Sequence, residues 1–241
     1  PPRSTPSNSS AASDVYKRQQ PNSGEQALEI MEQLTRSGAV DMIVVDSVAA
    51  LVPEAELQGQ MGDTQVGLQA RLMSQAMRKL AAAIAQSRTV AVFVNQIRST
   101  IQSGPWGPST TTTGGRALKF YASVRLQIWA EGKLTEGSEQ VGMKARVRVT
   151  KNKVAPPFRE AAFDVIYGKG IVRERDILHT AESLGIVTRS GSWYSFGDIK
   201  LGQGVSQAAA FIAENPDVAE QLVAEIRAKA GIPEPRPLIP E

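Results

Sequence analysis

An α/β fold built mainly on parallel strands is predicted by two short apolar runs, by the helix-spaced segment between them, and by the alternating segments that follow. Residues 40–46 read Val-Asp-Met-Ile-Val-Val-Asp, nearly continuous and β-branched, the composition of a strand buried on both faces of a parallel sheet. Residues 89–95 form a second strand of the same type. Between them, after a Gly-containing loop, Asp63 can cap a long helix over roughly 64–87. Two such strands around a helix make a right-handed parallel crossover the default connection.

The other elements follow in order. Residues 1–23 are rich in Ser, Pro and Asn without apolar periodicity, and 13–19 resemble a translated cloning linker, so this leader is set apart from the fold. Residues 24–36 carry Ala27, Leu28, Ile30, Met31 and Leu34 at helical spacing, with Gly38 as the stop. Residues 99–115 hold Gly104, Pro105, Gly107, Pro108 and a threonine run, and are expected to be a loop. A short helix is expected at 117–121, then antiparallel strands at 123–129, 144–150 and 161–166. Residues 175–230 read as a small helical unit with a Gly-rich turn, ending in a Pro-rich tail.

Composition narrows the chemistry. At 241 residues and 41% apolar positions the chain can bury a core. The absence of cysteine removes disulfides, thiolate metal sites and a cysteine nucleophile, and suits a reducing compartment such as the cytoplasm. His179 is the single histidine and lies in the peripheral unit, so neither a Ser-His-Asp triad nor a histidine metal site is available. No apolar run is long enough to span a membrane. The net charge of +3 conceals a strong asymmetry. Residues 64–130 contain no Asp or Glu, and 64–159 hold fifteen bases against three acids, a net of +12, while the remainder carries −9. Such a segment is suited to a polyanion, with a chance excess of solvated bases as the plain alternative.

Several residues stand where chemistry is done. Asp46 ends the first apolar strand, where ligands of open parallel sheets bind, and an acid there can hold Mg²⁺ through water beside a nucleotide; a turn-forming aspartate is the alternative. Asn95 and Gln96 end the second strand, where an amide can sense a γ-phosphate or can simply satisfy backbone groups. Arg71, Ser74 and Arg78, at i, i+3 and i+7, share one helix face and can bind successive phosphates, or form a solvated face. The Gly114-Gly115 pair, flanked by Arg98, Arg116 and Lys119, can bring backbone N–H groups close to phosphate, while Ile101 and Trp106 can insert between or stack on bases; a linker is the competing view. Lys151 and Lys153 set two ammonium groups on one side of a strand end, within reach of phosphates.

Read together, the strings GEQALEI (24–30), VVDSVAAL (44–51), SQAMRKL (74–80), NQIR (95–98), TTGGRALKFYASVR (112–125) and KNK (151–153) resemble the bacterial RecA recombinase family over about residues 21–230. The resemblance implies a partial RecA-like ATPase core at 24–170, a mainly parallel sheet with flanking helices and an antiparallel extension. It adds a small C-terminal α/β domain at 171–230 and a tail at 231–241. It implies that Asp46 is the acid near Mg²⁺ and that Gln96 couples ATP state to the DNA-binding loop. Lys151 and Lys153 would reach ATP across a filament interface, with Tyr167 near its adenine. Residues 56–63 fall in the first DNA-binding loop and 97–115, with Arg98, in the second. Arg71, Ser74, Arg78, Gly114, Gly115 and Arg116 match positions touching the single-strand backbone, and Val66 and Ile101 match residues wedged between base triplets. The cofactors so implied are ATP and Mg²⁺, and the partners are single- and double-stranded DNA, further copies in a helical filament, and the SOS repressor whose self-cleavage the family promotes. The family pattern also has a phosphate loop and a catalytic glutamate, yet no G-x-x-x-x-G-K-[ST] string occurs here. The expectation is therefore an N-terminally truncated member with no catalytic residue in cis, against the alternative of a non-catalytic, basic single-strand-binding module.

Overall fold

The structure is a computed structural model that describes residues 20–60, 67–99 and 110–233. The chain divides into two compact units between Ala122 and Ser123.

In the first unit, α1 (Gly24–Ser37) starts where the Ser23 side chain accepts from the Gln26 N–H and stops at Gly38 in the left-handed region, φ 65°. Strands β1 (Met42–Val45) and β2 (Val90–Phe93) pair in parallel, Met42 opposite Val90 and Val45 opposite Phe93, as the two apolar runs predict. A 3₁₀ turn at Val48–Ala50 and a short helix α2 (Glu54–Gln58) follow β1. Helix α3 (Leu68–Gln86) buries Met73, Ala76, Met77, Leu80 and Ala83 and packs against α1. It begins after Gly67, which lies in the left-handed region at φ 82°, so the described helix starts four residues later than expected; Asp63, the expected cap, lies outside the described residues.

Two expectations are corrected here. The β1 and β2 runs suggest strands buried on both faces, but burial alternates. Ile43, Val45, Ala91 and Phe93 face the core of Leu28, Met31, Val48, Met73 and Leu80, while Met42, Val44, Val90 and Val92 are exposed. Among the described residues, one helical layer covers one face. The expected loop at 99–115 also contains structure: β3 (Ile97–Ser99) pairs antiparallel with β4 (Thr110–Thr112), because a run of β-branched threonines suits a ladder despite its polarity. Helix α4 (Ala117–Tyr121) lies where expected.

The second unit opens with an antiparallel sheet ordered β5-β6-β7-β8: β5 (Val124–Glu136), β6 (Glu139–Asn152), β7 (Glu160–Ile166) and β8 (Gly170–Ile171). The antiparallel expectation holds, and the strands run longer than their alternation suggests because Gly137, at φ 63°, closes a hairpin between two charged ends. After α5 (Arg173–Ser183), the chain forms a sheet ordered β11-β10-β9 from β9 (Thr188–Ser190), β10 (Trp193–Phe196) and β11 (Ile199–Gln203), then α6 (Gly204–Glu214) and α7 (Pro216–Ala230). The helical reading of 175–230 is thereby corrected in favour of the small α/β domain that the resemblance implies: Gly191 and Gly197 turn between short strands, Gly202 lies within β11 and Gly204 opens α6. Leu178, Tyr194, Leu201, Ile212 and Leu222 form its closed hydrophobic cluster. Arg175 fastens α5 to the larger sheet, donating to Glu136 at 2.7 Å and to Ser206 at 2.8 Å, with Asp164 at 3.6 Å. Among the described residues no helix is long and apolar enough to cross a membrane.

Candidate functional site

The sequence-predicted residues fall into three groups. In the first, Asp46 follows β1 and Gln96 follows β2, so the parallel register sets the two strand ends side by side. Their approach is fixed by backbone bonds, Val94 N–H to the Val45 carbonyl and Val48 N–H to the Val94 carbonyl, both 2.9 Å. Both side chains are exposed, and the Asp46–Ser47 peptide is cis. A depression of about 420 Å³ between α1 and β1 reaches Asp46, and Ala27, Met31, Ile43 and Leu51 are among its lining residues.

Asn95 links this group to the next. Its Nδ2 donates to the Thr113 carbonyl at 2.9 Å, and its Oδ1 accepts from the Gln96 N–H at 2.8 Å. Gly114 and Gly115 follow at φ 79° and 75°. A Cβ on Gly114 would stand 2.9 Å from Val48 Cγ1 and 3.0 Å from Met73 Cγ; one on Gly115 would stand 2.8 Å from Ala70 Cβ. The pair is therefore also a packing device that lets this segment lie on α3. The Thr113 hydroxyl oxygen is buried without a hydrogen-bond partner.

On α3, Arg71, Ser74 and Arg78 line one depression of about 390 Å³ together with Ala70 and Gln75, as the i, i+3, i+7 spacing predicts. Arg71 and Arg78 are exposed, and among the described residues they make no ion pair. The Ser74 hydroxyl donates to the Ala70 carbonyl at 2.7 Å, so toward a phosphate it must first rotate that proton outward. Arg98 lies on β3 opposite Thr111, and Arg116 precedes α4; both are exposed. Val66 and Ile101 lie outside the described residues, as do most of 99–109 and the end of the 56–63 segment.

The third group belongs to the second unit. Lys151 and Lys153 sit at the end of β6, with Lys151 directly opposite Arg125 of β5. Partial burial, then the neighbouring Lys153 and Arg125 cations, hold the Lys151 ammonium below the usual lysine range. Tyr167 is exposed in the turn after β7, and its hydroxyl accepts from Gln140 Nε2 at 2.6 Å. Asn95 realises the plainer alternative of a strand-end amide that satisfies a backbone group, although which carbonyl it meets depends on register; the approach of Arg125 to the lysines has no sequence signal and depends on register alone. Acids are engaged elsewhere in this unit: Glu160 pairs with Arg146 and Arg148, and Glu131 with Arg146.

Comparison with known proteins gives a consistent result. Residues 13–172 match the model of the RecA N-terminal domain and 175–231 that of the RecA C-terminal domain. The chain is 56% identical over 213 residues to Protein RecA of Halalkalibacterium halodurans, covering 88% of this chain and 61% of that protein. It is 55% identical over 216 residues to Protein RecA of Aquifex pyrophilus, covering 90% and 62%, and 55% identical over 213 residues to that of Frankia casuarinae, covering 88% and 61%. The chain thus spans about three-fifths of the length of the curated relatives it matches.

Proposed function

The chain belongs to the RecA family, and from that premise we propose that it carries the DNA-facing and nucleotide-sensing parts of an ATP-dependent recombination and repair protein. In this reading residues 24–170 are the ATPase and DNA-binding core and 171–230 a small accessory domain. The protein works in the cytoplasm, coats single-stranded DNA as a filament of its own copies, exchanges strands with duplex DNA and promotes self-cleavage of the SOS repressor.

One observation carries the reading: the Asn95 bond to the Thr113 carbonyl. It ties the end of β2, beside Asp46 and Gln96, to the Gly114-Gly115 segment resting on the helix that presents Arg71, Ser74 and Arg78. A change at the strand ends therefore has a short covalent and hydrogen-bonded route to the phosphate-binding face. Gln96, adjacent to the tether, is the residue to sense a terminal phosphate, while Arg71, Arg78, Arg98 and Arg116 hold the DNA backbone. Gly114 and Gly115 supply N–H groups to that backbone, and Val66 and Ile101 enter between bases.

The residues present fit ATP and Mg²⁺ in part. Asp46 is an exposed carboxylate at the carboxyl end of a parallel strand, suited to a hydrated Mg²⁺. Lys151, Lys153 and Tyr167 suit phosphates and an adenine presented by a neighbouring copy. The given sequence holds no G-x-x-x-x-G-K-[ST] cradle, and no phosphoryl-transfer step is assigned to its residues. Bound ATP would supply the free energy and the terminal phosphate whose presence is sensed. That same missing string favours a second reading, a polyanion-binding module that works without ATP in cis.

The test is single-strand affinity against salt, for the chain and for Arg71→Gln and Arg78→Gln, with and without ATP and Mg²⁺. Each substitution is expected to weaken binding to all sequences about equally and to lower the salt slope by about 0.7 to 1. A flat salt response would overturn the basic-face argument. Binding that is steeply salt-dependent yet indifferent to ATP would select the module reading.

A further inference from the structure

We propose that Gln69 is a positioning residue of the DNA-facing surface: its side-chain amide fastens the first turn of α3, and with it Arg71, to the Val48–Leu51 turn that follows Asp46. The proposal rests on the reading of Arg71, Ser74 and Arg78 as a phosphate-binding row and adds a residue that sets how the row is presented.

The bond comes first. Gln69 Nε2 donates to the Val48 carbonyl at 2.9 Å and to the Leu51 carbonyl at 3.1 Å. A primary amide carries two N–H donors on one nitrogen, so a single side chain meets both acceptors, and two carbonyl partners fix which amide atom faces them. Leu51 ends the 3₁₀ turn at Val48–Ala50, where terminal carbonyls lack helical partners of their own.

The place of Gln69 within α3 gives the bond its consequence. The body of the helix is anchored by buried Met73, Met77 and Leu80. The first turn is not: none of the residues from Gly67 to Arg71 is buried, Gly67 offers no side-chain cap, and no acid stands in the turn to meet its free N–H groups. Arg71 belongs to this turn, its N–H donating to the Gly67 carbonyl at 3.0 Å. Arg78 lies about two turns further on, in the anchored body. The Gln69 amide thus acts on one end of the arginine row and not on the other.

The turn that Gln69 grips is itself fixed from three sides. The Gly24 N–H at the start of α1 donates to the Val52 carbonyl at 2.7 Å, and the Val48 N–H donates to the Val94 carbonyl at the end of β2. Val48 is fully buried, and a Cβ on Gly114 would stand 2.9 Å from its Cγ1. Gly115 lies against Ala70, the neighbour of Gln69. The strand ends that carry Asp46 and Gln96, the Gly114-Gly115 segment and the first turn of α3 therefore meet at Val48 and Gln69, and a shift at the strand ends reaches Arg71 through this amide.

Affinity of the full chain for oligothymidylate, measured against salt, tests this with Gln69→Met, which keeps the length and helix propensity of the side chain but has no donor. It is expected to weaken binding about three- to tenfold, part or all of one charge-assisted phosphate contact, and to lower the salt slope as Arg71→Gln does. In the Gln69→Met background Arg71→Gln should then cost less than about twofold, whereas Arg78→Gln should cost what it costs in the parent. Gln69→Glu has the shape of glutamine but no donor while ionised. Its deficit should shrink as pH falls through the ordinary glutamate range, where the carboxyl regains an O–H, and should recover past the Gln69→Met level toward the parent. Recovery that stops at the Gln69→Met level would reflect charge alone and overturn the proposal. Should Gln69→Met fail to fold, the acid recovery of Gln69→Glu carries the test, and its absence overturns the proposal. If Arg71→Gln and Arg78→Gln leave affinity unchanged, the phosphate-row reading fails and the positioning role with it. If they weaken binding while Gln69→Met does not, or if its effect simply adds to that of Arg71→Gln, the positioning role alone falls. Equal non-additivity at Arg71 and Arg78 would identify a displaced helix in place of a set first turn, and would also overturn it.

Discussion

Leu178 and Leu222 in the C-terminal cluster are 0% exposed, whereas Met42 and Val44 on β1 are 60% and 55% exposed. The two regions use similar side chains, so composition does not explain the difference; connectivity does. The C-terminal cluster draws α5, α6, α7 and the β9–β11 sheet from one continuous stretch, and each element finds a neighbour for its apolar side within it. The β1–β2 pair has helices α1 and α3 on one face and, among the described residues, nothing on the other. Parallel strands are ordinarily covered on both faces. Stability is thus concentrated where the local sequence closes its own core. Among the described residues the β1–β2 pair leaves its outer apolar face at the surface, and α3 leaves Arg71 and Arg78 there without an ion pair.

The largest expected effect follows directly. Leu222→Ala removes a fully enclosed side chain and should cost about 2–5 kcal/mol, read by urea unfolding of the full chain through the fluorescence of Trp193, the residue before buried Tyr194. Val44→Ala should fall within about 0.5 kcal/mol, followed by circular dichroism. A cost above about 1 kcal/mol for Val44→Ala would break the comparison, because it would mean that this face is covered in solution.

An intermediate effect separates the units by acid. The Ser206 and Arg175 hydrogen bonds to Glu136, and those of Arg148 and Arg146 to Glu160, hold both carboxyls below the usual glutamate range. A carboxylate with a depressed folded value contributes stability that is present above its ordinary range and is lost as pH falls through the folded value. Acid titration of the second unit should therefore show a stability decline beginning at and extending below the ordinary glutamate range. In Glu136→Gln with Glu160→Gln the decline should be shallower, although the variant starts from lower stability at neutral pH. An unchanged acid limb in the double variant would show that these surface pairs contribute nothing measurable.

How far the sequence anticipates all this depends on the range of the interaction involved. Helix α1, with its Ser23 and Gly38 boundaries, and the Arg71–Ser74–Arg78 row are readable because caps and helical periodicity act within a few residues. The parallel pairing of β1 with β2 was also readable, from two apolar runs around a helix. Burial of those strands was not, because periodicity reports which residues can be covered and not whether anything covers them. The β3–β4 pair was missed because turn residues and threonine polarity outweighed β-propensity. The three C-terminal strands are only three to five residues long, shorter than the alternation signal requires, so the residue pattern alone reads helical and only the family resemblance, through its small α/β domain, anticipates them. Within the site, single positions at strand ends could be named, but the Asn95–Thr113 tether and the approach of Arg125 to Lys151 are long-range consequences of register.

The smallest effect tests that register. Because partial burial and the Lys153 and Arg125 cations depress the Lys151 value, the folded state disfavours the charged ammonium relative to the unfolded chain. Between the folded and unfolded values the unfolded state binds more protons, so stability rises with pH in a window reaching from below the ordinary lysine range up into it. Lys151→Gln removes the penalty at every pH. The variant should therefore melt slightly higher than the parent at neutral pH, and the gap should close as pH climbs through that window. Melting temperatures measured from neutral pH to just above the lysine range give both curves. A constant gap would place the cause in packing and not in charge, and a variant less stable at neutral pH would mean that the contacts of Lys151 outweigh the repulsion from Lys153 and Arg125. Either result would set the hairpin end closer to the closed C-terminal cluster than to the arginine face of α3.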